Sequence, residues 1–205
     1  MTDAPTKSNR RQQILEALAE QLETHPGERI TTAALAKAVG VSEAALYRHF
    51  PSKARMFEAL IEFAEESVFG LINRIISEQR SLAATLEGTM TVLLGFAERN
   101  PGITRVLLGE ALVGETDRLR ARSAKFYERF ESQLKQVLRE AAVKAPFGAM
   151  GNEANAAQLL LAVAEGRMHQ FVRSGFRDLP RQGWESQWRM LQAAILAGGA
   201  DAAAG

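Results

Sequence analysis

The sequence predicts an all-α protein with a small N-terminal helical domain and a larger helical body. Apolar residues recur at spacings of three and four along most of the 205 residues, which is typical of one buried helix face. Glycine, proline and capping residues separate these stretches, as they do between helices. Because no stretch shows the strict alternation of a strand, we predict no sheet.

Composition and charge narrow the class of protein. The chain is long enough for a sizeable core, and its lack of cysteine excludes disulfides and suits a cytoplasmic protein. The polar N-terminus does not read as a signal peptide, and no apolar stretch reaches the length of a membrane span. The net charge is only +1, so any nucleic-acid contact must come from local basic clusters. These clusters are Lys7, Arg10 and Arg11 near the start, and Arg48, Lys53 and Arg55 further on.

The first helix is predicted over residues 9–23, after an N-terminal arm that we expect to be disordered. Its apolar face carries Ile14, Leu18 and Leu22 at helical spacing. Residues 24–28 include proline and glycine and form a loop. His25 lies in this loop, where we expect it to be solvated.

Two short helices joined by a tight turn are predicted between Ile30 and Lys53. Thr31 or Thr32 can cap a helix over residues 33–39, and Gly40 ends it because glycine adopts left-handed backbone geometry at little cost. Ser42 can cap the next helix, over 43–50, which Pro51 ends. This arrangement predicts a helix-turn-helix.

The second helix of this motif is predicted to enter the major groove of DNA. Leu46 and Phe50 are four residues apart and face inward. The outward face then carries Glu43, Ala44, Tyr47 and Arg48, a set of short and polar side chains. We expect Arg48 and Tyr47 to contact base edges, and Ala44 to meet a thymine methyl group. Glu43 would accept from a cytosine amine or point at Arg48, while Thr32 and Lys53 hold phosphates.

The segment resembles the DNA-binding motif of TetR-type regulators. In that family a T-T-x-x-L-A-x-x-V-G-V-S core leads to L-Y-x-H-F-x-x-K, and the chain matches it from Thr31 to Lys53. The resemblance implies a TetR-like fold, with an N-terminal helix-turn-helix domain and a C-terminal helical dimerisation domain. The DNA-binding positions are then Thr31, Thr32, Ser42, Glu43, Ala44, Tyr47, Arg48, His49 and Lys53.

The remaining chain is predicted to form the body. Helices are expected over 52–79, 82–99, 103–113, 115–144, 152–175 and 184–197, with Asn152 as a cap and 145–151 as a loop. The domains are then 1–51 and 52–197, followed by a disordered tail at 198–205. The fourth helix carries one apolar stripe, made of Phe57, Leu60, Ile61, Ala64, Val68, Leu71, Ile72 and Ile75. Phe63 and Phe69 lie at its margins, although Phe63 could instead be an exposed anchor for a partner.

The eighth and ninth helices are predicted to pair with a second copy of the chain. Residues 156–166 are rich in small and apolar side chains, which allow helices to approach closely. The candidate interface residues are Ala157, Leu160, Leu161, Ala164 and Met168. The alternative is that this helix forms the central core of the body.

Three further stretches carry a narrower resemblance: Ser8–Arg11, Ile30–Phe63 and Leu93–Val106, the last with the run LLGFAERNPGITRV. Through them most of the chain is similar to a TetR-like family of nucleoid occlusion factors. The resemblance implies a dimer that binds palindromic chromosomal DNA and, while bound, antagonises polymers of the division protein FtsZ. The family's FtsZ-binding surface corresponds here to Phe63, Gly95, Arg99 and Asn100. The chain departs from the family at Leu71, where the family has an arginine. By its own chemistry Arg99, close to a helix C-terminus, can bind a carboxylate through two N–H groups.

The sequence does not predict an enzyme. His25, His49 and His169 lie far apart and have no carboxylates at metal-ligand spacing, and neither a phosphate-binding loop nor a nucleophile elbow is present. We therefore predict no metal and no cofactor. The alternative function is a ligand-responsive TetR-type repressor with an apolar effector pocket in the body.

Overall fold

The computed structural model describes residues 7–78, 80–144 and 151–196, with side chains from Arg10 onward. The described residues form helices and no strands. Their order is α1 (Lys7–Thr24), α2 (Thr32–Val39), α3 (Glu43–His49), α4 (Lys53–Ser77), α5 (Leu82–Arg99), α6 (Pro101–Leu107), a 3-10 turn (Glu110–Leu112), α7 (Asp117–Lys144), α8 (Glu153–Arg173) and α9 (Trp184–Leu196).

The all-α prediction is confirmed, with small differences at the helix ends. Helix α1 begins at Lys7, inside the arm expected to be disordered. The predicted single helix over 103–113 is instead α6 followed by the 3-10 turn, because Gly109 adopts left-handed geometry with φ of 78° and interrupts it. Asn152 precedes α8, but its side chain makes no capping hydrogen bond. The rest of the predicted arm, the loop 145–150 and the tail lie outside the described residues.

The chain divides into two compact units. The first comprises residues up to 65 together with 99–126, so α1 to α3, the start of α4 and α6 belong to one unit, in which α1 contacts both α6 and the helix-turn-helix. The second comprises 66–98 and the residues from 127 onward. The predicted N-terminal domain, residues 1–51, is smaller than this first unit, and its boundary at residue 51 stays a prediction.

In the first unit, α6 lies tightly against α1. A Cβ atom added at Gly102 would overlap the backbone oxygen of Ala19, so only glycine allows this approach. The guanidinium of Arg105 is only 3% exposed and donates to the backbone oxygen of Leu22, close to the end of α1. Its Nε and Nη2 atoms also donate to Glu110, at 3.2 and 3.1 Å. The end of α1 is thereby fixed to the segment that follows α6 through one buried cation.

In the second unit, one arginine holds the connection between α8 and α9. Arg167 donates from Nε to the Pro180 oxygen at 2.5 Å and from Nη2 to the Gln182 oxygen at 2.7 Å. Burial lowers the pKa of Arg167, but the carbonyl groups around it accept from its N–H donors. A second arginine, Arg181, donates from Nε and Nη2 to the two carboxylate oxygens of Glu98, which ties this connection to α5.

The stripe on α4 is largely as predicted. Phe57, Leu60, Ile61, Ala64, Val68 and Ile72 are all buried. Leu71 was expected on this stripe, but it is 40% exposed. It lies on the outward face of α4, next in sequence to the buried Ile72. Phe69 is buried beneath the guanidinium of Arg129, 4.0 Å from its ring, whereas Phe63 is 42% exposed. Phe63 thus matches the exposed alternative.

No helix among the described residues combines the length and the apolar character that a bilayer span would need.

Candidate nucleic-acid interface and partner surfaces

The two helices of the motif begin and end as the sequence predicts. The hydroxyl of Thr31 accepts from the backbone N–H of Ala34 at 3.1 Å and caps α2. Ser42 accepts in the same way from Ala45 at 3.2 Å and caps α3. Between them Gly40 has φ of 72°, the left-handed geometry that turns the chain. The orientation of α3 is therefore fixed by local side-chain and backbone chemistry.

The outward face of α3 is exposed, as a groove-reading helix requires. Leu46 and Phe50 are buried on its inner side. The exposed residues are Ser42, Glu43, Ala44, Tyr47 and Arg48, while His49 is half-buried at the end of the helix. Among the described residues Arg48 has no ion-pair partner, so its guanidinium is available to bidentate acceptors such as guanine.

Glu43 and Thr32 are directed at each other across the motif. The Thr32 hydroxyl donates to a Glu43 carboxylate oxygen at 2.6 Å, and the Tyr47 hydroxyl lies 3.5 Å from the same threonine oxygen. One carboxylate oxygen of Glu43 is thus engaged by Thr32, and its contact with Arg48 or with a cytosine amine stays a prediction. Because a carboxylate accepts strongly from a hydroxyl, the pair links α2 to α3 and holds Tyr47 beside them. Thr32 can reach a phosphate only if this hydrogen bond opens.

Lys53, expected to hold a phosphate, has a protein partner. Its ammonium lies 2.7 Å from a Glu115 carboxylate oxygen, and the two side chains are 19% and 13% exposed. The pair borders a cleft of about 450 Å³ whose wall also includes Arg105 and Glu110. Sequence reasoning missed Glu115, because the partner lies 62 residues away and has no motif of its own.

The residues implied for FtsZ binding differ in their exposure. Arg99 is exposed at the last position of α5, and Asn100 is half-buried and precedes α6 without capping it through its side chain. The backbone oxygen of Asn100 accepts a hydrogen bond from the backbone N–H of Thr104, at 2.9 Å. Gly95 is buried, which disfavours a direct contact with a partner there. Phe63 presents the largest apolar surface of this group.

The predicted dimer residues mostly form core. Ala157, Leu160, Ala164 and Met168 are each 0% exposed within one chain, so the alternative reading of α8 as a core helix holds for them. Leu161 is half-buried. The outward face of α8 carries Leu159, 47% exposed, with Ala162 and Gly166 at helical spacing from it. On α9, Met190 is 71% exposed. Leu159, Ala162 and Gly166 could have been found by following the opposite face of α8.

Comparisons with known proteins agree with this geometry. Residues 14–60 match the family model of bacterial regulatory proteins of the tetR family, and residues 80–195 match a tetracyclin repressor-like C-terminal domain of the SlmA-like type. A protein of Alteromonas mediterranea named nucleoid occlusion factor SlmA is 56% identical over 90% of this chain and 95% of its own length. A Marinomonas protein of the same name is 55% identical over 90% and 94%. The crystal structure of the MbdR regulator from Azoarcus has a TM-score of 0.75 at 17% identity, covering 92% of this chain and 98% of its own.

Proposed function

The chain belongs to the SlmA family of TetR-type DNA-binding proteins, and on that premise we propose that it binds specific duplex DNA as a homodimer and antagonises FtsZ polymers while bound. The observation that carries the DNA-binding part is the exposed face of α3, held by two capped helix starts. The name of the relatives, nucleoid occlusion factor, supports the division part. Septum formation over the chromosome would then be blocked wherever the protein is bound, which places it in the cytoplasm on the nucleoid.

On DNA, Arg48 and Tyr47 read the major groove and Ala44 contacts a thymine methyl group. The backbone N–H groups at the starts of α2 and α4 add phosphate contacts. Glu43 acts chiefly by fixing Thr32 and Tyr47, because its carboxylate is engaged within the motif. His49, half-buried at the end of α3, is the remaining DNA-binding position that the family resemblance implies.

A two-fold dimer brings two such faces to inverted half-sites. The surface that supports dimerisation is the outward face of α8 and α9, with Leu159, Ala162, Gly166 and Met190. A contact through this face leaves the core residues Ala157, Leu160, Ala164 and Met168 undisturbed. Leu161, half-buried at its margin, contributes in part.

Arg99 and Phe63 are the proposed contacts to the division protein, with Asn100 beside Arg99 in sequence. Arg99 offers a charge-assisted contact to a carboxylate, and Phe63 offers apolar area. Gly95 is buried within one chain, so its place in this surface rests on the family resemblance alone.

The test is sedimentation of FtsZ filaments in the presence of GTP, with the protein alone, with its specific duplex, and with a scrambled duplex. We expect the pelleted fraction to fall most with the specific duplex. A fall that is equal without DNA contradicts the dependence on DNA. Release of DNA by a small apolar molecule, together with unchanged FtsZ pelleting, would favour the ligand-responsive repressor instead.

A further inference from the structure

Arg11, on α1, is a basic residue to which the proposed interface assigns no role. Its guanidinium carbon lies 4.3 Å from the centroid of the Phe50 ring, in the geometry of a cation–π contact. Phe50 directly follows α3 and is 1% exposed, whereas Arg11 is exposed. The stack therefore fixes a cation from α1 at the end of the helix that reads the groove.

The stack leaves the hydrogen-bonding edge of Arg11 free. A guanidinium lying over a ring keeps its N–H donors in its own plane, directed away from the ring. Among the described residues Arg11 forms no ion pair and no hydrogen bond, so these donors are available to an anion.

The stability of α1 does not explain the arginine at this position. Arg11 is the fifth residue of α1, and the residues three and four positions further along are Ile14 and Leu15, so no ion pair within the helix accounts for its charge. An apolar side chain would cover Phe50 as well. The positive charge of Arg11 therefore needs another explanation than the stability of α1.

We propose that Arg11 binds a phosphate of the DNA backbone that flanks the half-site read by α3, with Phe50 acting as the platform that holds it. This inference rests on the proposed DNA-binding function. The contact carries no sequence information, because phosphates are the same at every step. It sets the register of α3 on the duplex and contributes to affinity for any sequence.

The test replaces Arg11 by methionine, which keeps an apolar cover on Phe50 and removes the charge. Binding to the specific duplex and to a random duplex is measured over a series of salt concentrations. We expect affinity at 0.15 M salt to fall about five-fold per protomer on both duplexes, and the slope of log K against log salt to shrink by about 0.9 per protomer. Arg11→Lys should retain the slope, because it keeps the charge.

Controls separate this proposal from the DNA-binding function itself. Arg74→Met removes an exposed arginine of the second unit, late in α4, and should leave both affinity and slope unchanged. Arg48→Ala should lower specific affinity more than random affinity. If the wild type binds no duplex, the proposed function fails; if the wild type binds and Arg11→Met binds equally with an unchanged slope, only the Arg11 contact is overturned. A loss confined to the specific duplex would also overturn it, since that result indicates a base contact.

Discussion

The ammonium of Lys53 and the carboxylate of Glu115 lie 2.7 Å apart, at the start of α4 and just before α7. Both side chains are largely shielded from water, so the pair is stronger than a surface ion pair. A phosphate that binds Lys53 must compete with Glu115 for the same ammonium. The pair therefore sets how much of the Lys53 charge is available to DNA.

We predict that Lys53→Ala weakens binding to all duplexes alike and flattens the salt dependence, because one phosphate contact is lost. Glu115→Gln should do the reverse, strengthening binding and steepening the salt slope, because Lys53 is no longer neutralised. Fluorescence anisotropy over a salt series measures both. A loss confined to one base position would rule out the phosphate role of Lys53. An unchanged affinity in Glu115→Gln would make the pair purely structural.

The contact between α6 and α1 predicts a stability effect at Gly102. Gly102→Ala places a methyl group against the backbone oxygen of Ala19, and backbone cannot move aside as a side chain can. We expect a loss of about 2–3 kcal/mol and a fall in Tm of roughly 5–10 °C. The matched control is Gly70→Ala on α4, where no atom lies within 4 Å of the new methyl group. That change should raise stability by about 0.5–1 kcal/mol. Equal effects of the two changes would refute the close-packing argument.

The two faces of α8 predict different outcomes for a buried and an exposed substitution. Leu159→Glu places a charge on the outward face and should give folded monomers that bind specific DNA weakly. Ala157→Glu buries a charge in the core of one chain and should lower Tm strongly or prevent folding. Analytical ultracentrifugation and circular dichroism distinguish these states. A Leu159→Glu protein that stays dimeric at micromolar concentration would place the interface elsewhere.

The sequence predicted the helix-turn-helix well because its signals are local. Thr31, Gly40 and Ser42 each act within four residues of their own position, so caps and turn could be placed from the sequence alone. The partners of Lys53 and Thr32 could not be placed in this way, since Glu115 and Glu43 are brought to them by tertiary packing.

The sequence left open whether α8 forms core or a dimer surface, for a related reason. Both faces of this helix carry small and apolar residues, and periodicity does not tell which face meets the chain's own core. Leu159 and Leu160 have the same chemistry, and only packing separates the exposed one from the buried one.

Glu165 on α8 predicts a dependence of stability on pH. Burial raises the pKa of its carboxyl, His169 lowers it, and Glu131 raises it further. Near pH 4 the Glu165 carboxyl is largely protonated in both the folded and the unfolded state. As pH rises above the ordinary pKa of a glutamate, the unfolded state ionises first. The free energy of unfolding therefore falls until the pH reaches the raised pKa of the folded state. Glu165→Gln should therefore raise Tm at pH 7 and leave it nearly unchanged near pH 4. Glu185→Gln, at the exposed start of α9, is the control. An equal gain at both pH values would show that packing, rather than ionisation, is responsible.

The most specific prediction concerns the surface that we propose binds FtsZ. Arg99 is exposed at the last position of α5, and Phe63 is 42% exposed on α4, outside the helices that read the groove. Arg99→Asp places an acid at a helix C-terminus, which costs about 0.5 kcal/mol through the dipole, too little to unfold a chain of this size. The change does reverse any charge-assisted contact with an acidic partner. We therefore expect operator affinity within a few-fold of the wild type and loss of the effect on FtsZ filaments.

Two further variants test this prediction, one expected to act in the same way and one as a control. Phe63→Ala should behave like Arg99→Asp, because it removes exposed apolar area without disturbing the core. Lys144→Asp makes the same charge reversal in the last turn of α7 and should leave both readouts unchanged, since no contact is assigned there. If Arg99→Asp also abolishes DNA binding, Arg99 is structural. If filament antagonism survives in both Arg99→Asp and Phe63→Ala, the contact surface lies elsewhere and the ligand-responsive repressor becomes the better hypothesis.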